Sequence, residues 1–156
     1  MRTLMLMRHA KSSWDRPDLA DLDRPLAPRG QETAPLVARY IKQSRWQPDL
    51  VLCSPATRVR ETWQLMTPVL GRTVDCKTLR RVADEVATLM LIGHNPGIGH
   101  LAVSLCGSGP TKALEHMRGK FPTAALAVIQ FDIDRWDQLA PGAGRLRAFV
   151  RPKDLA

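Results

Sequence analysis

Two histidines and two arginines carry the chemistry, and each lies in a polar cluster that follows an apolar run. Arg8 and His9 come after Thr3–Met7, Arg58 closes Ser54-Pro55-Ala56-Thr57-Arg58 after Asp49–Cys53, and His94 sits in Gly93-His94-Asn95-Pro96-Gly97 after Ala87–Ile92. A neutral imidazole is a competent nucleophile near neutral pH, since its ordinary pKa is ~6.5. Guanidinium groups stay charged, grip phosphate oxygens in bidentate fashion and follow charge as it redistributes in a transition state. Two imidazoles and two guanidiniums without an acidic metal cluster therefore point to phosphoryl transfer through a covalent phosphohistidine. Zinc would need neutral ligands, and neighbouring arginines would repel it. Residue types alone do not say which histidine attacks. Ser12 and Asn95 are further candidate donors to a phosphate oxygen.

The elements that must position these residues alternate along the chain. Thr3–Met7, Asp49–Cys53, Ala87–Ile92, Ala124–Phe131 and Arg145–Val150 read as strands, with a short one expected over Thr73–Cys76. Apolar residues at i, i+3, i+4 and i+7 mark helices on Ala34, Val37, Ala38 and Ile41, on Val59, Thr62, Trp63 and Met66, and on Ile98, Leu101, Ala102 and Leu105. Pro35 suggests that the first helix starts near Thr33. Residues 10–29 and 107–123 read as loops. Apolar strands alternating with helices predict a three-layer α/β/α sandwich with a mostly parallel central sheet, one domain spanning 1–156 without a large cap. Ligands bind such folds outside the carboxyl ends of the strands, where all three polar clusters lie.

The run Arg8-His9-Ala10-Lys11-Ser12-Ser13-Trp14 resembles the Arg-His-Gly/Ala signature of the histidine phosphatase superfamily, also called phosphoglycerate mutase-like. Ser54 to Thr62 is similar to that family's second arginine motif, and Gly93 to Gly97 to its second histidine motif. Asp23-Arg24-Pro25-Leu26, Arg29-Gly30 and Lys120-Phe121-Pro122-Thr123-Ala124-Ala125 resemble the short SixA-type branch, the phosphohistidine phosphatases. The resemblance implies that His9 is the nucleophile, that Arg8, Arg58 and His94 bind the phosphoryl group, and that no metal or organic cofactor is needed. It also implies a loop acid before the Gly-His strand. Only Lys77–Val86 fills that interval, short for a parallel crossover. Asp18, Asp21, Asp84 and Glu85 are the candidates for the acid, or no residue fills the role.

Length and composition set the outer bounds. A chain of 156 residues is one ordinary domain, and its 44% hydrophobic and 24% charged fractions are those of a globular protein. No apolar run reaches the ~20 residues of a membrane helix, and a cytoplasmic location is expected. Cys53, Cys76 and Cys106 lie in apolar contexts and read as plain thiols. The net charge of +8 invites a nucleic-acid partner, but its arginines are scattered and aromatics make up only 5%. Neither nucleic acid nor membrane is expected as a partner. The expected substrate is protein phosphohistidine, with a small phosphorylated molecule or phosphate recognition without turnover as alternatives, in a protein compatible with a monomer.

Overall fold

In strand β1 (Arg2–Arg8) every second side chain enters a different core, Leu4 and Leu6 on one face and Met5 and Met7 on the other. That alternation of wholly apolar faces is what a central strand covered on both sides requires. The computed structural model describes residues 1–71, 76–77 and 82–156. The further strands are β2 (Leu50–Cys53), β3 (Cys76–Lys77), β4 (Thr88–Gly93), β5 (Cys106–Ser108), β6 (Leu126–Phe131) and β7 (Gly144–Val150). Among the described residues they form one seven-stranded sheet ordered β3-β2-β4-β1-β6-β7-β5. The first four strands run parallel, β6 is antiparallel to β1 and β7, and β5 is parallel to β7.

Helices α1 (Pro28–Gln43), α2 (Thr57–Leu70) and the short α5 (Pro152–Leu155) cover the Met5 face. Helices α3 (Gly97–Leu105) and α4 (Thr111–Gly119) cover the Leu4 face. The result is the expected three-layer α/β/α sandwich with a mostly parallel sheet.

Local expectations fare unevenly. Helix α1 starts at Pro28 rather than near Thr33, leaving Pro35 in its interior. Tertiary packing outweighs the lost hydrogen bond there. Gly30 and Ala34 are buried, and Gly30 lies so close to the backbone of Lys11 that an added Cβ would stand 2.2 Å from its carbonyl oxygen. The segment expected to be loop from 107 to 123 contains α4, which buries Leu114 and Met117. Of the strand expected over Thr73–Cys76, positions 73–75 lie outside the described residues, as do 78–81 of the crossover; Cys76 and Lys77 pair with Val51 and Leu52. Cys106 is a free buried thiol, its pKa pushed up to about 11 by burial. Cys53 is disulfide-bonded, which corrects its reading as a plain thiol.

Gly30→Ala forces α1 away from the segment that follows the first strand. It should destabilise the fold by about 1–3 kcal/mol, as overpacking does, measured as a lower urea midpoint.

Candidate active site

The carboxyl ends of β1, β2 and β4 deliver His9, Ser54 and His94 side by side, because the three strands are neighbours in register: Arg8 pairs with Gly93, and Cys53 with Ile92. His9 is only 6% exposed. Its backbone is fixed from two sides. Its N–H donates to the Gly93 carbonyl at 3.0 Å, and the Ala124 N–H donates to the carbonyls of both Arg8 and His9 at 3.0 Å.

The side-chain geometry defines a tautomer. His9 Nδ1 lies 2.7 Å from the Ala10 carbonyl, which can only accept, so the ring proton belongs on Nδ1. Nε2 then carries a lone pair, and it accepts from Arg58 Nε at 3.4 Å. Arg58 Nη2 also donates to His94 Nδ1 at 3.2 Å, which puts the His94 proton on Nε2, 2.6 Å from Ser54 Oγ. The two imidazole rings lie 5.2 Å apart between centroids. One guanidinium thus bridges both histidines.

Both rings are held neutral. Burial, followed among the lowering influences by Arg58, the neighbouring His94 ring and Arg8, brings the His9 pKa down to about 4 against the pull of its bond to Ala10. Burial and Arg58 also lower that of His94. Arg8 stands beside them, its Nη1 donating to the Phe121 carbonyl at 3.1 Å. Its Nε is buried and has no acceptor among the described residues. A cation with a spare donor, next to an unprotonated ring nitrogen, is a site waiting for an anion.

The counter-charge comes from an exposed loop. Asp21, in a 3-10 turn over Asp21–Asp23, sets Oδ2 3.0 Å from Arg58 Nη2 and offers its carbonyl to Nη1 at 2.6 Å. Its hydrogen bond from Arg58 holds its carboxyl below the usual range. Its other oxygen reaches Arg24 Nη1 at 3.3 Å, and the Arg24 guanidinium stacks 3.4 Å over the Trp14 ring. Trp14, Arg24, Asp21 and Arg58 form one chain from solvent to the buried His9 and the half-buried His94.

The structure brings together His9, His94, Arg8 and Arg58. Ser12 is buried and bridged through its backbone to Leu26, while Asn95 spends its amide on the Phe121 carbonyl (2.8 Å) and the Gly99 N–H (3.2 Å). Of the four candidate acids only Asp21 reaches the cluster. Asp18 pairs with Arg16, and Asp84 and Glu85 precede β4, at the opposite end of the sheet. His100 is exposed, whereas His116, expected in a charged loop, is half-buried on α4. Sequence reasoning missed the roles of Ser54 and of Thr62. Thr62 is fully buried, accepts from the Ala10 N–H at 3.1 Å and donates to the Arg58 carbonyl at 2.6 Å, locking the segment after β1 to the first turn of α2. Its place in the apolar stripe of α2 hid that role. Among the described residues no three His, Cys, Asp or Glu side chains are grouped to hold a metal, and no helix is long and apolar enough to cross a membrane.

This fold and cluster define a class: the chain belongs to the histidine phosphatase superfamily, whose branch 1 model matches residues 4–87. An uncharacterized protein of Mycobacterium tuberculosis strain H37Rv is 36% identical over 163 residues, covering 94% of this chain and 100% of that one. The phosphohistidine phosphatase SixA of Escherichia coli K12 is 27% identical over 146 residues, covering 83% of this chain and 85% of its own. A solved chain from Agrobacterium tumefaciens, described as a candidate phosphohistidine phosphatase SixA, superposes with a TM-score of 0.77 at 28% identity, covering 97% of this chain and 98% of that one. Within the superfamily the chain lies on the SixA-like branch, a group of phosphatases.

Three outcomes follow. The His9 imidazole should titrate near 4 rather than ~6.5 in a histidine NMR titration. Because the unfolded ring takes up a proton at the higher pH, this stabilisation is complete above ~6.5 and lost as pH falls toward 4. The urea midpoint of His9→Asn should therefore fall less over that window than that of the parent protein. Thr62→Val leaves the buried Ala10 N–H without its acceptor and should cost about 1–3 kcal/mol by the same assay.

Proposed function

We propose that residues 1–156 form a metal-independent phosphatase domain that hydrolyses protein phosphohistidine through a phosphoryl group carried on His9. The supporting observation is the unprotonated Nε2 of His9, held by the Nδ1 bond to Ala10 and facing Arg58. In the first step the Nε2 lone pair forms a bond to phosphorus as the bond from phosphorus to the substrate nitrogen breaks. The departing imidazole takes its proton from solvent. In the second step water attacks phosphorus, the bond to Nε2 breaks, and inorganic phosphate leaves with the ring neutral again.

Arg8 and Arg58 meet the equatorial oxygens in both steps. His94 is neutral before substrate arrives. A phosphoryl dianion beside it favours the imidazolium, so it becomes a charged donor when the transition state needs one. Asp21 holds Arg58 in line until the phosphoryl group displaces it. The relatives support a phosphoramidate substrate, since the E. coli protein is a phosphohistidine phosphatase. The chemistry agrees, because a nitrogen leaving group needs general acid help less than an alkoxide does.

Brief incubation with a phosphohistidine protein followed by acid-free quenching and mass spectrometry should place the phosphoryl group on His9. His9→Ala should trap none, and modification of another residue would overturn the assignment. Arg58→Ala should lower kcat by about 10²–10³-fold, as loss of one preorganised donor does. Asp21→Asn removes a solvent-screened ion pair to Arg58, so inhibition by inorganic phosphate should tighten by no more than about fivefold.

A further inference from the structure

A cavity of about 420 Å³ opens beside the reaction centre at the carboxyl end of β1. Its wall carries the cationic side chains of Lys11, Arg29, Lys120, Arg151 and Lys153, drawn from the segment after β1, from α1, from the loop before β6, and from the end of β7 and the start of α5. Among the described residues Glu115 is the one carboxylate in the lining. Arg151 is committed to Asp154 at 2.9 Å, whereas the other four cations make no ion pair among the described residues. So many like charges around one concavity repel one another unless an anion enters.

The cavity shares two backbone segments with the reaction centre. Lys11 follows His9 by two residues. Lys120, Pro122 and Thr123 flank Phe121, whose carbonyl accepts from both Arg8 and Asn95. A group seated here therefore lies next to the phosphoryl site. The size of the cavity falls within the ~300–1,000 Å³ of ordinary ligand sites, too large for one carboxylate. Among the described residues no Phe, Tyr or Trp lines it, and His116 is the one aromatic ring there, a thin platform for a nucleobase.

We infer that this cavity is a second binding subsite, which seats carboxylate side chains of an acidic polypeptide segment next to the phosphorylated residue. The inference rests on the proposed phosphohistidine phosphatase activity and narrows its substrate to phosphoproteins with acidic flanks. The four uncommitted cations are exposed and differ in reach, so they act as a field and select acidic flanks without demanding one sequence.

The test separates binding from turnover. A fluorescein-labelled, unphosphorylated peptide rich in Asp and Glu is titrated with the full chain at low salt, against its Asn/Gln counterpart. Anisotropy should show at least tenfold tighter binding of the acidic peptide, weakening as salt rises. Arg29→Gln/Lys153→Gln should erase most of that preference, and Arg29→Lys/Lys153→Arg should keep it. Equal binding of the two peptides, or a preference that survives the neutral double variant, would overturn the subsite. So would a single-stranded oligonucleotide of matched charge that binds more tightly through the same residues. With phosphohistidine versions of both peptides, the preference should appear in KM more than in kcat. Absence of turnover on both peptides would instead count against the phosphohistidine activity, whatever the anisotropy shows.

Discussion

The contact on which this site depends is a guanidinium set against an unprotonated imidazole. Arg58 donates to His9 Nε2, and that bond exists only while Nε2 lacks a proton. Burial and cationic surroundings push the same way, so the ring is neutral over the whole physiological range. The arrangement leaves a surplus of positive charge in a water-poor place. Asp21 offsets part of it from an exposed turn, a counter-ion that solvent can reach and an incoming anion can replace. The resting state thus carries a positive charge that an anion would balance.

Keeping the lone pair in place takes a rigid frame. Three adjacent parallel strands end at the same level, which brings residues separated by up to 85 positions within reach of one guanidinium. One N–H, that of Ala124, clamps two successive carbonyls after β1, and one hydroxyl, that of Thr62, ties this loop to the first turn of α2. These bonds involve backbone atoms, so the imidazoles are aimed by the fold itself rather than by flexible side chains.

What could be read from the sequence follows from the range of each signal. Apolar runs such as Thr3–Met7 and Ala87–Ile92 announce buried strands, and the polar clusters after them announce the site, since ligands gather at strand ends. Helix α4 was invisible because Leu114 and Met117 give one short stripe beside Pro110 and Gly119, where local signals argue for a turn. The true start of α1 depends on the fit of Gly30 against Lys11, a contact between a loop and a helix that no periodicity encodes. From sequence, Ser54 reads as part of a motif and Thr62 as part of an apolar stripe. Their hydrogen bonds emerge only when β2, β4 and α2 are placed together. Asp21 could be listed as a carboxylate, but its pairing with Arg58 follows from the path of the 10–29 loop, which nothing local specifies.

The far pole of the sheet is built for a different purpose. There Arg2 donates to the carbonyls of Asp84 and Asp134, the Trp136 indole donates to the Val86 carbonyl at 2.7 Å, and the Asp49 carboxylate accepts from the Ala87 and Thr88 amides. These ties join loops at the amino ends of the parallel strands and touch none of the groups around His9. Anchoring and reactivity are therefore housed at opposite poles of one β-sheet. Cargo, labels or a tether joined near Asp134 would leave the His9 end of the sheet facing away and uncovered.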